Sequence, residues 1–190
     1  MNTNRLEAFS DGVLAIIITI MVLELKVPVN SDFTDLTPLI PKIFSYLLSF
    51  IYVGIYWNNH HHLFQAIQKV NGKILWSNLV LLLSLSLIPF TTAWMGEHFL
   101  APSPVALYGL NLLLSAIMFL ILEHTAIHHE GKDSKIGIAL KNKTKENISW
   151  IVYTIGLISA FLFPGVSLFC YLLVAVMWLI PDRRIEKQIN

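Results

Sequence analysis

Long apolar stretches recur along this chain, and they constrain its fold more than any other feature of the sequence. A helix needs about 20 predominantly apolar residues to cross a lipid bilayer. Six such stretches can be recognised, of which the last two are the shortest. They cover residues 9–27, 40–63, 74–94, 105–127, 148–163 and 166–180. The sequence therefore predicts an all-α, polytopic membrane protein in which residues 1–190 form a single domain of six transmembrane helices.

The composition favours the same class and excludes others. Hydrophobic residues make up 55% of the chain and charged residues 13%, whereas a soluble domain has about 25% charged residues. The net charge of +1 provides no basic surface for nucleic acid, so no nucleic-acid partner is expected. The single cysteine, Cys170, lies in an apolar run and cannot form a disulfide within the chain.

The positions of lysine and arginine predict how the helices are oriented. With six spans, eleven basic residues fall on one side of the membrane, and only Lys26 and Lys42 fall on the other. The eleven are Arg5, Lys69, Lys73, Lys132, Lys135, Lys141, Lys143, Lys145, Arg183, Arg184 and Lys187. Because basic loops stay on the cytoplasmic side, both termini are predicted to be cytoplasmic.

A polar cluster at the entrance of the first span is the first candidate for function. Arg5, Ser10 and Asp11 precede an apolar run that carries no charge between Gly12 and Leu23. An ionisable group within a bilayer is costly and is a functional candidate for that reason. An Asp near a helix N-terminus is also favoured by the helix dipole, so capping or orienting the helix start is the alternative role for Asp11.

A second polar patch closes the second span, where residues 56–64 read YWNNHHHLF. In the six-span arrangement it lies on the same side of the membrane as Asp11. Burying unsatisfied polar groups is unfavourable. We therefore expect Trp57, one of the two following asparagines, and either His60 or His61 to hydrogen-bond to the polar cluster of the first helix. A proton relay that uses Asp11 and a histidine is the alternative.

Neither metal binding nor catalysis is indicated by the other motifs. Consecutive helical positions point about 100° apart, so the three adjacent histidines cannot share one face as metal ligands. His124 and His128 have better spacing, but the polar end of a helix accounts for them. The chain lacks a nucleophile elbow, HExxH, Walker A and CxxC motifs. No metal site and no enzyme activity are therefore predicted.

The apolar part of the first span has a face of its own. Ile16, Thr19, Ile20 and Leu23 recur at helical spacing. A stripe of this kind is most often a packing seam between helices. Spacing alone does not distinguish such a seam from the wall of a pore.

The first span nevertheless resembles the signature of a known family. Arg5-x-x-x-Phe9-Ser10-Asp11-Gly12, followed by Ala15, Ile16 and Thr19, is similar to the motif of the transmembrane protein 175 potassium channels. The length, the six spans and the second-span Trp57 and His60–His61 patch extend the resemblance over nearly the whole chain. The resemblance implies a bacterial member with one six-helix repeat. It would be a passive, potassium-preferring homotetrameric channel in the inner membrane bilayer, without a Thr-Val-Gly-Tyr-Gly filter.

The resemblance also implies roles for individual residues. Hydrophobic side chains of the first helix would form the pore constriction, with a neighbouring hydroxyl in the ion path. These residues are Ile16, Ile20 and Leu23 for the constriction and Thr19 for the hydroxyl. The polar network that positions this helix would comprise Arg5, Ser10, Asp11, Trp57, His60 and His61. No cofactor other than the permeant K⁺ is expected.

Two further expectations concern the acidic residues at the outer mouth and the alternatives to a channel. Glu24, with the acidic residues of the following loop, would raise the local cation concentration at the outer mouth, unless it is an ordinary polar helix end. Two alternatives to a channel remain. One is a proton-coupled transporter that uses Asp11 and a second-span histidine, and the other is a non-conducting membrane scaffold.

Overall fold

The regular secondary structure is entirely helical in the part of the chain that the structure describes. A computed structural model describes residues 3–179, and within this range it contains no β-strand. The α-helices are α1 (Thr3–Leu23), α2 (Ile40–Ala66), α3 (Gly72–Ser86), α4 (Ile88–Glu97), α5 (Pro102–Glu130), α6 (Lys135–Ala139), α7 (Thr144–Ser159) and α8 (Pro164–Leu179). A 3-10 helix, Phe33–Leu39, leads into α2. The all-α prediction is confirmed for these residues.

Several helices have the length and composition of membrane spans. Four segments of the described chain qualify: Thr3–Leu23, Phe33–Ala66, Gly72–Glu97 and Pro102–Glu130. Pro164–Leu179 is apolar but shorter, with 16 residues. The protein is therefore a multi-pass membrane protein. Arg183, Arg184 and Lys187, together with the predicted end of the sixth span at residue 180, lie outside the described residues.

The stretch predicted as the third span consists of two consecutive helices, α3 and α4. Pro89 stands in the first turn of α4, and Leu87 lies between the helices. Proline has no backbone N–H, and its ring clashes with the carbonyl of the residue four positions earlier, which is Leu85. The backbone therefore breaks before Pro89 and resumes at once, with the N–H of Thr91 donating to the Leu87 carbonyl at 3.1 Å.

Residues 160–163 join α7 to α8, which corrects the sequence-based placement of this turn. The predicted spans 148–163 and 166–180 leave only Pro164 and Gly165 for the turn between them, but these are the first residues of α8. Proline is favoured at the first position of a helix because its missing N–H would have no partner there. The first span is also displaced, since α1 ends at Leu23.

Contacts between buried hydroxyl groups join the helices in the core of the bundle. The Ser49 hydroxyl on α2 lies 2.6 Å from that of Thr92 on α4 and 3.0 Å from that of Tyr108 on α5. The Tyr52 hydroxyl donates to the backbone carbonyl of Tyr171 on α8 at 2.6 Å. These contacts satisfy polar groups that lipid cannot solvate. Helix α1 packs on α2, α3 and α4 from one side.

Candidate ion path and docking site of the first helix

The first helix has one face turned towards the rest of the chain and one face turned away from it. The buried residues are Leu6, Ser10, Leu14, Ile17 and Met21, which recur every three or four positions. Leu14 is 2% exposed, whereas Ile16 is 59% exposed and Leu23 is 70% exposed. Helix α1 therefore docks through a stripe different from the one that the sequence singles out.

The predicted pore stripe lies on the exposed face. Ile16, Thr19, Ile20 and Leu23 are all exposed, and so is Phe9, two turns earlier than Ile16. No helix of the described chain covers this face, so it is not a packing seam within one chain. The Thr19 hydroxyl donates to the Ile16 carbonyl at 2.9 Å, which leaves the lone pairs of its oxygen as acceptors.

Asp11 and Trp57 connect the first two helices directly. The indole Nε1 of Trp57 donates to Oδ1 of Asp11 at 3.0 Å. The rings of Trp57 and His61, one turn apart on α2, stack with centroids 6.1 Å apart. The Asp11 carboxylate thus has a donor on α2, and this donor is an indole rather than a histidine.

A second contact between these helices involves Glu7, which the sequence analysis missed. Oε1 of Glu7 lies 2.5 Å from Nδ1 of His61. Nε2 of the same histidine lies 2.8 Å from Nε2 of Gln65. The two distances fit a ring that donates from Nδ1 to the carboxylate and accepts from the Gln65 amide. Glu7 lies one helical turn before Asp11, and an acidic residue at that position was the available signal.

A fully buried chain of hydrogen bonds fixes α1 to α3. Nε2 of His60 lies 2.7 Å from Oδ1 of Asn78, and Nδ2 of Asn78 donates to the Ser10 hydroxyl at 3.0 Å. The Ser10 hydroxyl in turn donates to the Leu6 carbonyl at 2.9 Å. His60 and Ser10 therefore meet through Asn78, which sequence reasoning missed although it is the only amide side chain in the apolar stretch 74–94.

Two other residues considered for this network, Arg5 and Asn59, make no hydrogen bond with it among residues 3–179. The Arg5 side chain is exposed and makes no hydrogen bond or ion pair with residues 3–179. Nδ2 of Asn59 donates to the Ile55 carbonyl of its own helix at 2.9 Å. The structure thus joins Ser10 and Asp11 to α3 and α2 but leaves Arg5 apart from both.

Glu24 lies at the opposite end of α1, directly after the last helical residue, and is exposed. It borders a shallow groove together with Lys42 and Glu97. Nζ of Lys42 lies 3.2 Å from Oε1 of Glu97, so the lysine charge near Glu24 is offset by a second carboxylate.

Histidines elsewhere contact protein side chains. Nδ1 of His129 lies 3.0 Å from Nδ2 of Asn71, and Nε2 of His124 lies 2.5 Å from Nζ of Lys143. Within residues 3–179, no group of three or more His, Cys, Asp and Glu side chains is arranged to hold a metal ion.

Comparisons with known proteins identify relatives of this arrangement. The family model described as endosomal/lysosomal potassium channel TMEM175 matches residues 5–89, which include α1 from Arg5 onwards and all of α2 and α3. A protein from Chryseobacterium sp. (strain P1-3), named as a potassium channel, is 57% identical over 190 residues, covering 100% of this chain and 99% of the relative.

A solved structure and an animal relative extend the comparison. The crystal structure of a lysosomal potassium-selective channel TMEM175 homologue from Chamaesiphon minutus superposes with a TM-score of 0.80. It has 27% sequence identity and covers 95% of this chain and 97% of the solved one. The mouse endosomal/lysosomal proton channel TMEM175 is 30% identical over 99 residues, which are 50% of this chain and 20% of the mouse protein.

Proposed function

Because this chain belongs to the TMEM175 family, we propose that it is a potassium-preferring cation channel and not an enzyme. It would carry K⁺ passively across a bacterial inner membrane, with no other cofactor. We further propose six transmembrane spans with both termini in the cytoplasm, the orientation that the distribution of lysine and arginine favours.

The exposed face of α1 carries this proposal. In a homotetramer, four copies of the stripe Ile16, Thr19, Ile20 and Leu23 would face a central axis, while the opposite stripe of α1 keeps its contacts with α2 and α3. A ring of large apolar side chains gates by dewetting and holds no ion tightly. The two separate faces of α1 supply both requirements, which are an apolar pore wall and an anchored helix.

Selectivity in such a pore would be modest. An apolar ring cannot replace the hydration shell of an ion as a ring of backbone carbonyls does, and the chain contains no Thr-Val-Gly-Tyr-Gly segment. The Thr19 hydroxyl would contribute the polar group closest to the constriction. Its proton is already donated to the Ile16 carbonyl, so its oxygen would face the ion path as an acceptor, which favours cations.

The polar contacts at the other end of α1 would hold the pore wall in register. Trp57 on Asp11, and Asn78 on Ser10, restrain α1 against translation and rotation. Arg5, which has no partner among residues 3–179, would contact a neighbouring subunit. Glu24 would attract cations to the outer mouth, since Lys42 beside it is paired with Glu97.

The rival functions make different predictions about protons. A proton-coupled transporter would use Asp11 and a histidine, although the donor on Asp11 is Trp57. Protons are also an alternative permeant ion, since the mouse relative is named a proton channel. A scaffold would conduct neither ion.

Ion flux in liposomes separates these functions. The purified protein is reconstituted into K⁺-loaded vesicles in Na⁺ buffer, and proton uptake is followed with a pH-sensitive dye. A potassium channel gives uptake after a protonophore alone, because K⁺ efflux makes the interior negative. Uptake after valinomycin alone indicates a proton channel, and uptake without either ionophore indicates exchange of K⁺ for protons. Vesicles that need both ionophores behave as empty ones do and would identify a scaffold.

Assembly is tested separately by cryo-electron microscopy. Particles with four-fold symmetry and α1 on the axis are expected. Monomers or dimers in which the Ile16 face of α1 contacts lipid would overturn the proposed pore whatever the flux result.

A further inference from the structure

Positive charge is concentrated in residues 131–147, which join α5 to α7 and include the first turn of α7. This basic segment has a net charge of +3, whereas the whole chain has a net charge of +1. Its lysines are Lys132, Lys135, Lys141, Lys143 and Lys145. Neither the proposed ion path nor the docking network of α1 uses any of them.

We propose that the basic segment binds the phosphate groups of anionic phospholipids and inserts the side chain of Ile138 among their upper acyl chains. The segment follows directly after α5, whose residues Pro102–Glu130 have the length and composition of a membrane span. Clusters of lysine beside a transmembrane helix are attracted to anionic lipid headgroups. The position of the segment in the chain therefore places its lysines at headgroup level.

Three of these lysines present their charge outwards. Lys132, Lys135 and Lys141 are exposed and make no ion pair with any residue in the range 3–179. Of the two acidic residues in the segment, Asp133 is exposed and Glu146 is only 6% exposed. The outer surface of the segment thus has three lysines and one carboxylate, a balance that favours an anionic ligand.

The backbone of the basic segment is fixed rather than free. Ile136 and Leu140 are buried, and α6 packs on α5 and α2. The Ser134 hydroxyl caps α6 by accepting from the N–H of Gly137 at 3.2 Å. A Cβ atom at Gly137 would lie 2.3 Å from the Lys132 carbonyl oxygen, so the chain is closely folded here. Lysines on a fixed backbone lose less conformational freedom when they bind a ligand.

Ile138 is an apolar side chain exposed among these lysines. It is 51% exposed, and Lys135 lies three positions earlier, on the same side of α6. Ile136 points to the opposite side and is buried. Orientation of the chain in the membrane accounts for lysines in this segment, but it does not account for an exposed isoleucine between them. Basic and apolar side chains on one surface are typical of segments that lie in the membrane interface.

The indole of Trp178 on α8 supports the same depth. Tryptophan is enriched at the boundary between membrane and water. Nε1 of Trp178 donates to the Ser149 hydroxyl at 2.8 Å, and Nζ of Lys145 lies 5.5 Å from the centroid of the indole. One lysine of the basic segment therefore contacts a residue type that marks the headgroup region.

Lipid binding is measured by native mass spectrometry of the full chain in detergent. The probes are phosphatidylglycerol and phosphatidylcholine with identical acyl chains. The anionic lipid is expected to bind at least fivefold more tightly than the zwitterionic lipid. Equal affinities would overturn the proposal. Displacement of phosphatidylglycerol by a tenfold excess of inorganic phosphate would also overturn it, because the ligand would then be a free anion.

Two variants with the same change in net charge locate the binding. Lys135→Gln/Lys141→Gln removes two exposed lysines of the basic segment and is expected to reduce the preference for phosphatidylglycerol to twofold or less. Lys26→Glu is the control, since Lys26 is exposed and follows the other end of α1, and it should keep the full preference. A full preference in the double variant, or an equal loss in the control, would refute the assignment to this segment.

The insertion of Ile138 is tested with a spin label. The label is attached to Ile138→Cys in a Cys170→Ala background, which removes the single native cysteine, and the protein is reconstituted into phosphatidylglycerol vesicles. Collisions with O₂, which concentrates among acyl chains, are expected to exceed those with a water-soluble nickel chelate. A label at Asp133→Cys should show the reverse. Greater access of nickel than of O₂ to position 138 would refute the insertion.

This assignment is independent of ion conduction and of the side of the membrane on which the segment lies, because the measurement in detergent depends on neither. A chain that conducts no ions in liposomes could still prefer phosphatidylglycerol, and equal affinities for the two lipids would leave the proposed channel standing.

Discussion

Nε1 of Trp57 donates a hydrogen bond of 3.0 Å to Oδ1 of Asp11, and this contact fixes α2 to the cytoplasmic end of α1 in the proposed topology. The bond is charge-assisted, since the acceptor is a carboxylate. Trp57 is itself exposed, so solvent weakens the contact relative to a buried one. It supplements the buried contacts of Ser10 rather than replacing them.

A double-mutant cycle measures this contact. Trp57→Phe keeps an aromatic ring and removes the donor, and Asp11→Ala removes the acceptor. Each change is expected to lower stability, with a coupling energy of about 1 kcal/mol between the two. Thermal unfolding in detergent, followed by size-exclusion chromatography, provides the readout. Strictly additive effects would show that the hydrogen bond contributes nothing.

Asn78 is expected to be more important for stability than either residue of that pair. Asn78→Ala leaves the His60 ring and the Ser10 hydroxyl without their buried partner, which costs about 3 kcal/mol in all. Ser86→Ala, at an exposed position on the same helix, is the control and should change stability little. Comparable melting temperatures for the two variants would refute the importance of the buried chain.

The proposed constriction is tested by making it polar. Ile16→Asn is expected to hydrate the pore, to raise K⁺ flux in liposomes several-fold and to reduce the preference for K⁺ over Na⁺. Leu83→Asn is the matched control, because Leu83 on α3 is 64% exposed and Ile16 is 59% exposed. Only the Ile16 variant should change flux. Unchanged flux through a correctly assembled Ile16→Asn tetramer would remove Ile16 from the gate.

Two glycines within helices are expected to respond oppositely to alanine. A Cβ atom at Gly109 would lie 1.8 Å from the hydroxyl oxygen of Tyr171, whereas nothing lies within 4 Å of one at Gly54. Because Tyr171 is fully buried, Gly109→Ala should destabilise the fold by about 3 kcal/mol. Gly54→Ala should be neutral or slightly stabilising, as alanine favours helix formation. Urea or thermal unfolding of both variants tests the difference.

The outline of this fold could be predicted from the sequence because hydropathy reports directly on long apolar helices. The same signal does not report where a helix begins. The predicted spans placed Pro164 between two helices, whereas proline is also favoured at the first position of a helix, and this is where it lies in α8. The break before Pro89 had a sequence signal in the proline itself, which a uniformly apolar stretch obscured.

The sequence predicted some residues of the candidate site and missed others. The stripe from Ile16 to Leu23 could be identified by helical spacing, but its exposure depends on which other face of α1 packs, and spacing does not determine that. Trp57 was expected near Asp11 because two polar patches shared one end of the bundle. Glu7 and Asn78 were missed because their roles depend on the positions of His61 and His60 in three dimensions.

The polar contacts of α1 also impose an order on biosynthesis. The partner of Asp11 lies 46 residues later in the chain, and the partner of Ser10 lies 68 residues later. The first helix therefore leaves the ribosome before either partner has left it. Its carboxylates must remain hydrated at the membrane surface during that interval, so the helix acquires its final depth only when α2 and α3 have been inserted beside it.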